Sequence, residues 1–307
     1  MQSELVIPDA ITRSAVAIHG VSGRAWLRRL PNIVAECADH WSLTLEPVFP
    51  NPTINFVAPA SRADGSRVVL KVSFPDEEFY AEMAALKLFD GQGAARVLEA
   101  DSRLGAMLLE RLRPGSQLSV VFDDRTATSI AARVMSSIRR PVPASHSSFP
   151  MISDWVEKMA ERSVRYVGST SRFPIRWVRH ALILHNELAA SSEGDFVLHG
   201  DLHHANVLSS ERDSWLAIDP RGLIGEPAAE TTPLLFNVLP TKDPARTRQV
   251  LTRRVDQLGE ELGVARERIR AWGIVRAVLS AFRALEERGS GWEWGISLAE
   301  ALLADEP

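Results

Sequence analysis

The chain has 307 residues, enough for one large domain or two ordinary ones, with 45% apolar and 24% charged residues as in globular proteins. A formal charge of −4 gives no basic surface for nucleic acid. The single cysteine, Cys37, excludes disulfide frameworks and cysteine-rich zinc sites.

The first predicted elements are helical. Residues 24–30 form a short helix, and Pro31 is expected to end it and to open a second helix that reaches about Trp41, because proline is tolerated at the first helical position. Apolar and polar residues then alternate over 43–45 and 55–58, as in strands.

A β-hairpin follows. Asp64-Gly65 is a strong turn signal, and the next segment, 68–72, is an apolar strand that carries Lys71. The pattern over 76–89 is that of a helix, and the segments 97–99 and 106–110 are predicted as two more strands.

Beyond Arg113-Pro114-Gly115 the chain is mostly helical. The helices that we expect there include residues 153–167, 175–190, 245–262 and 265–288. A β-rich segment followed by a helical one predicts an α+β protein of two lobes that meet near residues 110–115. We place the smaller N-terminal lobe at residues 1–112 and the larger C-terminal lobe at 113–307.

The segment from Phe196 to Pro227 contains the candidate catalytic residues. A polar loop with Asp201 leads into strand 207–208, residues 209–214 form a turn, and 215–218 return as a strand. The start of the first strand of a hairpin lies beside the end of the second, so Asn206 and Asp219 are expected to meet.

This arrangement predicts phosphoryl transfer. Mg²⁺ binds one or two carboxylates together with phosphate oxygens, and Asn206 and Asp219 are therefore its predicted ligands. Asp201 remains free to accept the proton of an attacking hydroxyl, as the catalytic-loop Asp of kinases does.

Lys71 on the hairpin strand is expected to reach the α- and β-phosphates of ATP. Glu82, on the helix that follows, is its predicted partner, with Glu77 and Glu78 as rivals. No Gly-x-Gly-x-x-Gly loop precedes Lys71, since residues 51–55 contain no glycine. A catalytically weak nucleotide-binding module is therefore one alternative.

The histidines of the loop suggest a second alternative. His199 and His203 are expected to support the loop backbone, and His204 is expected to be exposed to solvent. Together with Asp201 they resemble the zinc cluster of metallo-β-lactamase-like hydrolases, but the order differs and no histidine follows residue 204.

The chain resembles the aminoglycoside/hydroxyurea antibiotic resistance kinases, the group that includes streptomycin 6-phosphotransferases. The segments that carry the resemblance include Leu70-Lys71-Val72, His199-Gly200-Asp201-Leu202-His203-His204, Ala217-Ile218-Asp219-Pro220 and Gly222-Leu223-Ile224-Gly225-Glu226-Pro227.

The resemblance implies a bilobal protein-kinase-like fold with ATP in the cleft, Asp201 as the base, and adenine bound by the backbone of the hinge around Glu110 and Leu112. It also implies phosphorylation of an aminoglycoside, with streptomycin and its 6-hydroxyl as the first candidate. Another small hydroxylated metabolite is the alternative acceptor.

Two segments depart from the family pattern. Where relatives have Gly-Glu-Pro-x-x-Asp, this chain has Glu230 at the last position, and we expect Glu230 to anchor the catalytic loop. Where relatives have Trp-x-x-Glu-Asp on an antibiotic-binding helix, this chain has Arg283, Glu286 and Glu287. The two carboxylates suit a cationic acceptor, whereas an arginine beside them repels it.

No apolar run approaches the roughly 18 residues that span a bilayer, and the start of the chain lacks the pattern of a signal peptide. We expect a cytoplasmic protein that is a monomer or a weak dimer and has no membrane or nucleic-acid partner.

Overall fold

The computed structural model describes residues 7–50, 54–144, 149–166, 173–192, 194–239 and 243–303. Most of the glycine-free segment 51–55 and the last residue of the predicted helix 153–167 lie outside these ranges. Within the described residues, no helix combines the length and apolar character needed to cross a bilayer.

The N-terminal lobe is built on an antiparallel sheet of five strands in the order β1-β2-β3-β5-β4. The strands are β1 (Leu43–Leu45), β2 (Phe56–Arg62), β3 (Arg67–Val72), β4 (Val97–Asp101) and β5 (Ala106–Glu110). Helix α1 (Asp9–His40) precedes the sheet, and helix α2 (Glu77–Phe89) connects β3 to β4.

Alternation along the strands separates the two faces of this sheet. Val68 and Leu70 are buried in a cluster that also contains Leu30 and Cys37 of α1. Val69 and Lys71 lie on the opposite face because successive strand residues point to opposite sides. They line a cleft beneath the sheet. The predicted β2–β3 hairpin is confirmed, with Asp64-Gly65 in its turn.

The prediction for α1 was wrong about its start and its break. The helix begins at Asp9 rather than residue 24, and Pro31 lies inside it. The non-helical residue is Gly20, whose φ of 56° is a conformation that glycine adopts without steric cost.

The C-terminal lobe is mostly helical, and the predicted α+β class is confirmed. Its helices are α3 (Asp124–Ile138), α4 (Ile152–Ser163), α5 (Arg176–Ala190), α6 (Pro227–Glu230), α7 (Thr232–Phe236), α8 (Pro244–Leu262), α9 (Arg266–Arg288) and α10 (Glu293–Leu303). Helix α9 is central, since it packs against α5, α8 and α10. The sequence analysis did not identify α3 or α10.

Two small sheets hold the catalytic segment at the cleft. Their strands are β6 (Pro114–Gln117), β7 (Arg140–Pro141), β8 (Phe196–Leu198), β9 (Val207–Ser210), β10 (Ser214–Ala217) and β11 (Leu223–Gly225). One sheet has the order β10-β9-β6 and the other β11-β8-β7. The polar loop after β8 therefore opens between the sheets, beneath the N-terminal lobe. The lobe boundary at residue 112 stays a prediction.

Candidate active site

Lys71 lies at the centre of the cleft. Its Nζ is 2.5 Å from Oε1 of Glu82 on α2, and it also forms an ion pair with Asp219 after β10. Lys71 and Glu82 are almost fully buried, whereas the Asp219 side chain is half-exposed. Of the three glutamates considered from the sequence, the structure therefore places Glu82 against Lys71. Glu78 lies 3.7 Å from Arg221 instead.

The charges of this cluster support one another. Burial by itself lowers the pKa of Lys71, but the carboxylates of Asp219 and Glu82 outweigh it and raise that pKa. Lys71 in turn lowers the pKa of Asp219. Burial raises the pKa of Glu82 to about 7, against the opposing effect of Lys71. The lysine therefore stays cationic at the face of the cleft where phosphate oxygens would lie.

The β9–β10 hairpin brings Asn206 and Asp219 together. Val207 pairs with Ala217, and the Ile218 amide donates to the Asn206 carbonyl at 2.9 Å. Asp219 has a φ of 62°, a left-handed conformation that is uncommon outside glycine and that often marks a functional site.

The amide side chain of Asn206 is oriented by the catalytic loop. Its Nδ2 donates to the backbone carbonyl of Asp201 at 3.0 Å, which leaves Oδ1 directed away from that bond. A carboxylate and an amide oxygen are ligands suited to Mg²⁺, so the donor set of Asp219 and Asn206 fits this ion.

Two buried side chains shape the loop that carries Asp201. His199 Nε2 lies 2.9 Å from the Ile218 carbonyl, and its Nδ1 accepts from the Asp201 amide at 3.3 Å. Glu230 accepts from the backbone amides of His199 and Gly200 at 2.6 and 3.1 Å. Burial lowers the pKa of His199 to about 4, so its imidazole is neutral at pH 7. Burial raises the pKa of Glu230 to about 8.

Glycine is required inside this loop. Gly200 has a φ of 78°, and a Cβ there would lie 2.7 Å from the Leu223 side chain. The loop therefore turns sharply against β11, and the next residue, Asp201, lines a pocket together with Asp219 and Arg221.

The expectation that His204 is exposed was wrong. It is 2% exposed, and its Nδ1 lies 2.9 Å from Oδ1 of Asn237. Asn237 follows α7, whose end is fixed by the buried Arg254 through the carbonyls of Leu234 and Leu235. This tertiary contact has no local sequence signal. His203 accepts from the Ala205 amide at 3.2 Å within the loop.

The zinc alternative has no support in the geometry. Over the described ranges, no three His, Cys, Asp or Glu side chains are grouped closely enough to hold a metal ion. Nδ1 of His199 and Nδ1 of His204 both face hydrogen-bonding partners within the fold.

A cavity of about 660 Å³ lies between the N-terminal sheet and β9. Lys71 and Asp219 line one part of it, and Glu110 and Leu112 line another. The Glu110 carboxylate is held by Arg212, at 2.9 and 3.1 Å, so its side chain is already engaged. Leu112 is 8% exposed, and its amide donates no hydrogen bond within the described part of the chain. That amide is therefore available as a hydrogen-bond donor.

Sequence reasoning missed the side chains that surround Asp201 on its other side. Arg221 Nε lies 3.6 Å from one Asp201 oxygen, and Arg276 Nη2 lies 3.8 Å from the other. The Cζ atoms of both guanidinium groups lie over the ring of Trp155, at 5.8 and 5.7 Å from its centroid. Arg221 is two residues after Asp219, so the motif around Asp219 could have identified it. Arg276 and Trp155, in contrast, come from distant helices.

The predicted acceptor residues line a second groove of about 1000 Å³, and Arg221 and Arg276 also line this groove. Arg283, Glu286 and Glu287 all face it. The structure therefore places these residues in the same groove as Arg221 and Arg276, but not as free charges, because each is part of an ion pair.

Comparison with known sequences agrees with this geometry. The family model described as aminoglycoside/hydroxyurea antibiotic resistance kinase matches residues 40–288. The streptomycin 6-kinase of Streptomyces glaucescens is 33% identical, with 98% of each chain covered. The hydroxyurea phosphotransferase of Kitasatospora aureofaciens is 34% identical over 97% of this chain and 86% of its own.

Solved structures share the fold at low sequence identity. Choline kinase LicA from Streptococcus pneumoniae has a TM-score of 0.63 at 14% identity, over 90% of this chain and 98% of its own. A thermostable mutant of aminoglycoside phosphotransferase APH(4)-Ia, in a ternary complex with ADP and hygromycin B, has a TM-score of 0.61 at 14% identity, over 89% and 98%. The protein-kinase-like fold is thereby confirmed, and the chain belongs to the aminoglycoside/hydroxyurea antibiotic resistance kinase family.

Proposed function

We propose that this protein transfers the γ-phosphoryl group of ATP to a hydroxyl of an aminoglycoside, with the 6-hydroxyl of streptomycin as the first acceptor to test. The observation that carries the proposal is a connected set of side chains. Lys71 pairs with Asp219 in the cleft, Asn206 Nδ2 donates to the Asp201 carbonyl, and Asp201 and Asp219 line one pocket beside the cleft. The relatives named streptomycin 6-kinase support the choice of acceptor.

The catalytic step assigned to this chain is a proton transfer. The acceptor oxygen attacks the γ-phosphorus, its proton passes to the Asp201 carboxylate, and ADP leaves with the electrons of the broken P–O bond. The Asp201 side chain is one-quarter exposed, so it is accessible to an acceptor in the groove. His199 and Glu230 are positioning residues for the loop.

The nucleotide is held from both lobes. Lys71, fixed by Glu82, would hold the α- and β-phosphates, and the Leu112 amide with the backbone at Glu110 would hold adenine, since all of these residues line the same cavity. Asn206 and Asp219 would hold Mg²⁺, which neutralises charge on the phosphate oxygens when bound.

A coupled assay of ADP release across streptomycin, other aminoglycosides and small hydroxylated compounds tests the function. Streptomycin is expected to stimulate release, and mass spectrometry should find one added phosphoryl group on the drug. If the protein binds Mg·ATP but no acceptor stimulates release, the nucleotide-binding module is favoured and the proposal fails.

A second candidate is phosphorylation of another small hydroxylated metabolite. The specific observation in its favour is the pair of arginines next to Asp201, because a streptomycin molecule would bring its own guanidinium groups beside them.

A further inference from the structure

Two cavities meet beside Asp201. The first is the pocket of about 90 Å³ that Asp201 and Asp219 line together. The second is the groove of about 1000 Å³ between α4 and α9, which we call the acceptor groove. Among the described residues, three line both cavities: Ile18, Glu78 and Arg221. These side chains therefore border the route by which a molecule in the groove brings a hydroxyl to Asp201.

Ile18 reaches this border because α1 folds back on itself at Gly20. A Cβ on Gly23 would lie 2.0 Å from the Ala15 carbonyl oxygen. In a straight helix, residues eight positions apart are separated by about 12 Å along the axis. The segment before Gly20 is therefore directed away from the rest of α1, and its last turn lies over the junction of the two cavities.

His19 fixes that last turn to the N-terminal lobe. Its ring stacks on Phe74 with centroids 3.9 Å apart, and its Nε2 lies 3.6 Å from Oδ2 of Asp76. Asp76 in turn caps α2 by accepting from the Phe79 amide at 3.0 Å. The segment is thus held to the start of α2, so Ile18 has a defined position next to Glu78.

Ile18 is 56% exposed, whereas Ile11 and Ala15 of the same segment are buried in the core of the N-terminal lobe. A single exposed apolar side chain is ordinary on a protein surface. Ile18 differs because its exposed surface borders both cavities. An acceptor that covers this side chain removes apolar area from water and gains affinity.

Glu78 is the carboxylate of the acceptor groove that is most open to a cationic ligand. Its side chain is 78% exposed, compared with 21% for Glu286 and 45% for Glu287. Its contact with Arg221 is 3.7 Å long, beyond hydrogen-bonding distance. An ammonium or guanidinium group of an acceptor can therefore approach Glu78 without displacing a tight ion pair.

We infer that Ile18 and Glu78 form the N-terminal half of the acceptor site and determine its specificity. Ile18 packs against the apolar face of the acceptor, and Glu78 pairs with one of its cationic groups. The inference rests on the proposed function, because it takes the acceptor to be a hydroxylated cation of the aminoglycoside class. It assigns specificity to α1 and α2, on the opposite side of the route from α4 and α9.

Steady-state kinetics provide the first test. Ile18→Ala and Glu78→Gln are each expected to raise KM for streptomycin about five-fold or more, with KM for ATP unchanged. The effect of Glu78→Gln should diminish at high salt, because salt screens an exposed charge pair. A change in KM for both substrates would indicate a structural role instead and would overturn the inference.

Each variant has a matched control on the same helix. Val21→Ala shortens a side chain that is 74% exposed on the other side of Gly20. Glu77→Gln neutralises an exposed carboxylate next to Glu78. Neither residue lines the two cavities in the part of the chain that the structure describes. Both controls should keep KM for streptomycin within two-fold of the native value.

Chemical labelling tests the contact without requiring turnover. Ile18→Cys is treated with N-ethylmaleimide in the presence of Mg²⁺ and a non-hydrolysable ATP analogue, with and without streptomycin. The native Cys37 is buried, which raises its pKa to about 12, so it should not react. Streptomycin is expected to slow labelling of the new cysteine about five-fold or more and to leave Val21→Cys unaffected.

The outcomes separate this inference from the proposed function. Protection of the cysteine at position 18 alone, together with streptomycin-stimulated ADP release, supports both. Protection without ADP release supports the inference and contradicts the phosphorylation of streptomycin. ADP release without protection, or equal protection at positions 18 and 21, overturns the inference and leaves the proposed function intact. Absence of both protection and release overturns both.

Discussion

The Lys71 ammonium on β3 forms an ion pair with the Asp219 carboxylate, although 148 positions separate the two residues in sequence. This contact connects the N-terminal sheet to the β9–β10 hairpin at the mouth of the nucleotide cleft. Glu82 completes the cluster from α2. One lysine therefore links the two lobes at the phosphate site and supplies its positive charge.

Replacing Lys71 by methionine should remove ATP use while the protein still folds. The variant loses the cation that faces the phosphates, so kcat/KM for ATP is expected to fall by about 100-fold or more. Without the ammonium, burial keeps the pKa of Glu82 raised, and the carboxyl becomes neutral rather than a buried charge.

Steady-state kinetics and a thermal melt check this prediction. The matched control is Lys87→Met, which removes an exposed lysine from the same helix as Glu82. Equal loss of activity in both variants, or full activity of Lys71→Met, would contradict the role given to Lys71.

Asn206→Ala should raise the Mg²⁺ concentration needed for half-maximal activity. The variant loses the amide oxygen that we propose as a Mg²⁺ ligand and the hydrogen bond from Asn206 to the Asp201 carbonyl, and we expect a shift of about 10- to 100-fold. Titration of Mg²⁺ at fixed ATP measures it, with Asn186→Ala on α5 as an amide control. An unchanged Mg²⁺ requirement would remove Asn206 from the metal site.

The fold and the catalytic segment were largely predictable because they rest on local signals. The Asp64-Gly65 turn signal and the apolar segment after it placed Lys71 on a hairpin strand, and antiparallel pairing within a second hairpin joined Asn206 to Asp219. The break at Gly20 was missed because the sequence analysis began the first helix at residue 24, after this glycine.

The environment of Asp201 was not predictable in the same way. Trp155 and Arg276 lie on α4 and α9, and only tertiary packing brings them to the catalytic loop. The burial of His204 likewise depends on Asn237, more than thirty residues later. A single sequence carries no signal for such pairings, whereas the periodicity of helices such as α8 and α9 was readable.

His199 should make the stability of the fold depend on pH on the acidic side. Its pKa is about 4 in the folded protein, against about 6.5 when unfolded, so the unfolded state binds more protons between these values. The contribution of neutral His199 to the free energy of unfolding is complete above about pH 6.5. It is lost as the pH falls toward 4, by about 3 kcal/mol in total.

The measurement is the free energy of unfolding of the native protein and of His199→Asn from pH 7 to pH 4. The difference in free energy of unfolding between the native protein and the variant should shrink as the pH falls, because only the native protein has this titrating group. Parallel curves would show that His199 is not held neutral by burial.

The central claim is that Asp201 accepts the proton of the attacking hydroxyl, and Asp201→Asn tests it most directly. Asparagine keeps the shape of the side chain but cannot take the proton, so kcat should fall by about 100- to 10,000-fold while the affinity for Mg·ATP changes little. Asp195→Asn, an exposed carboxylate just before β8, should be fully active. If Asp201→Asn keeps its kcat, Asp201 is not the base and the account of the site is wrong.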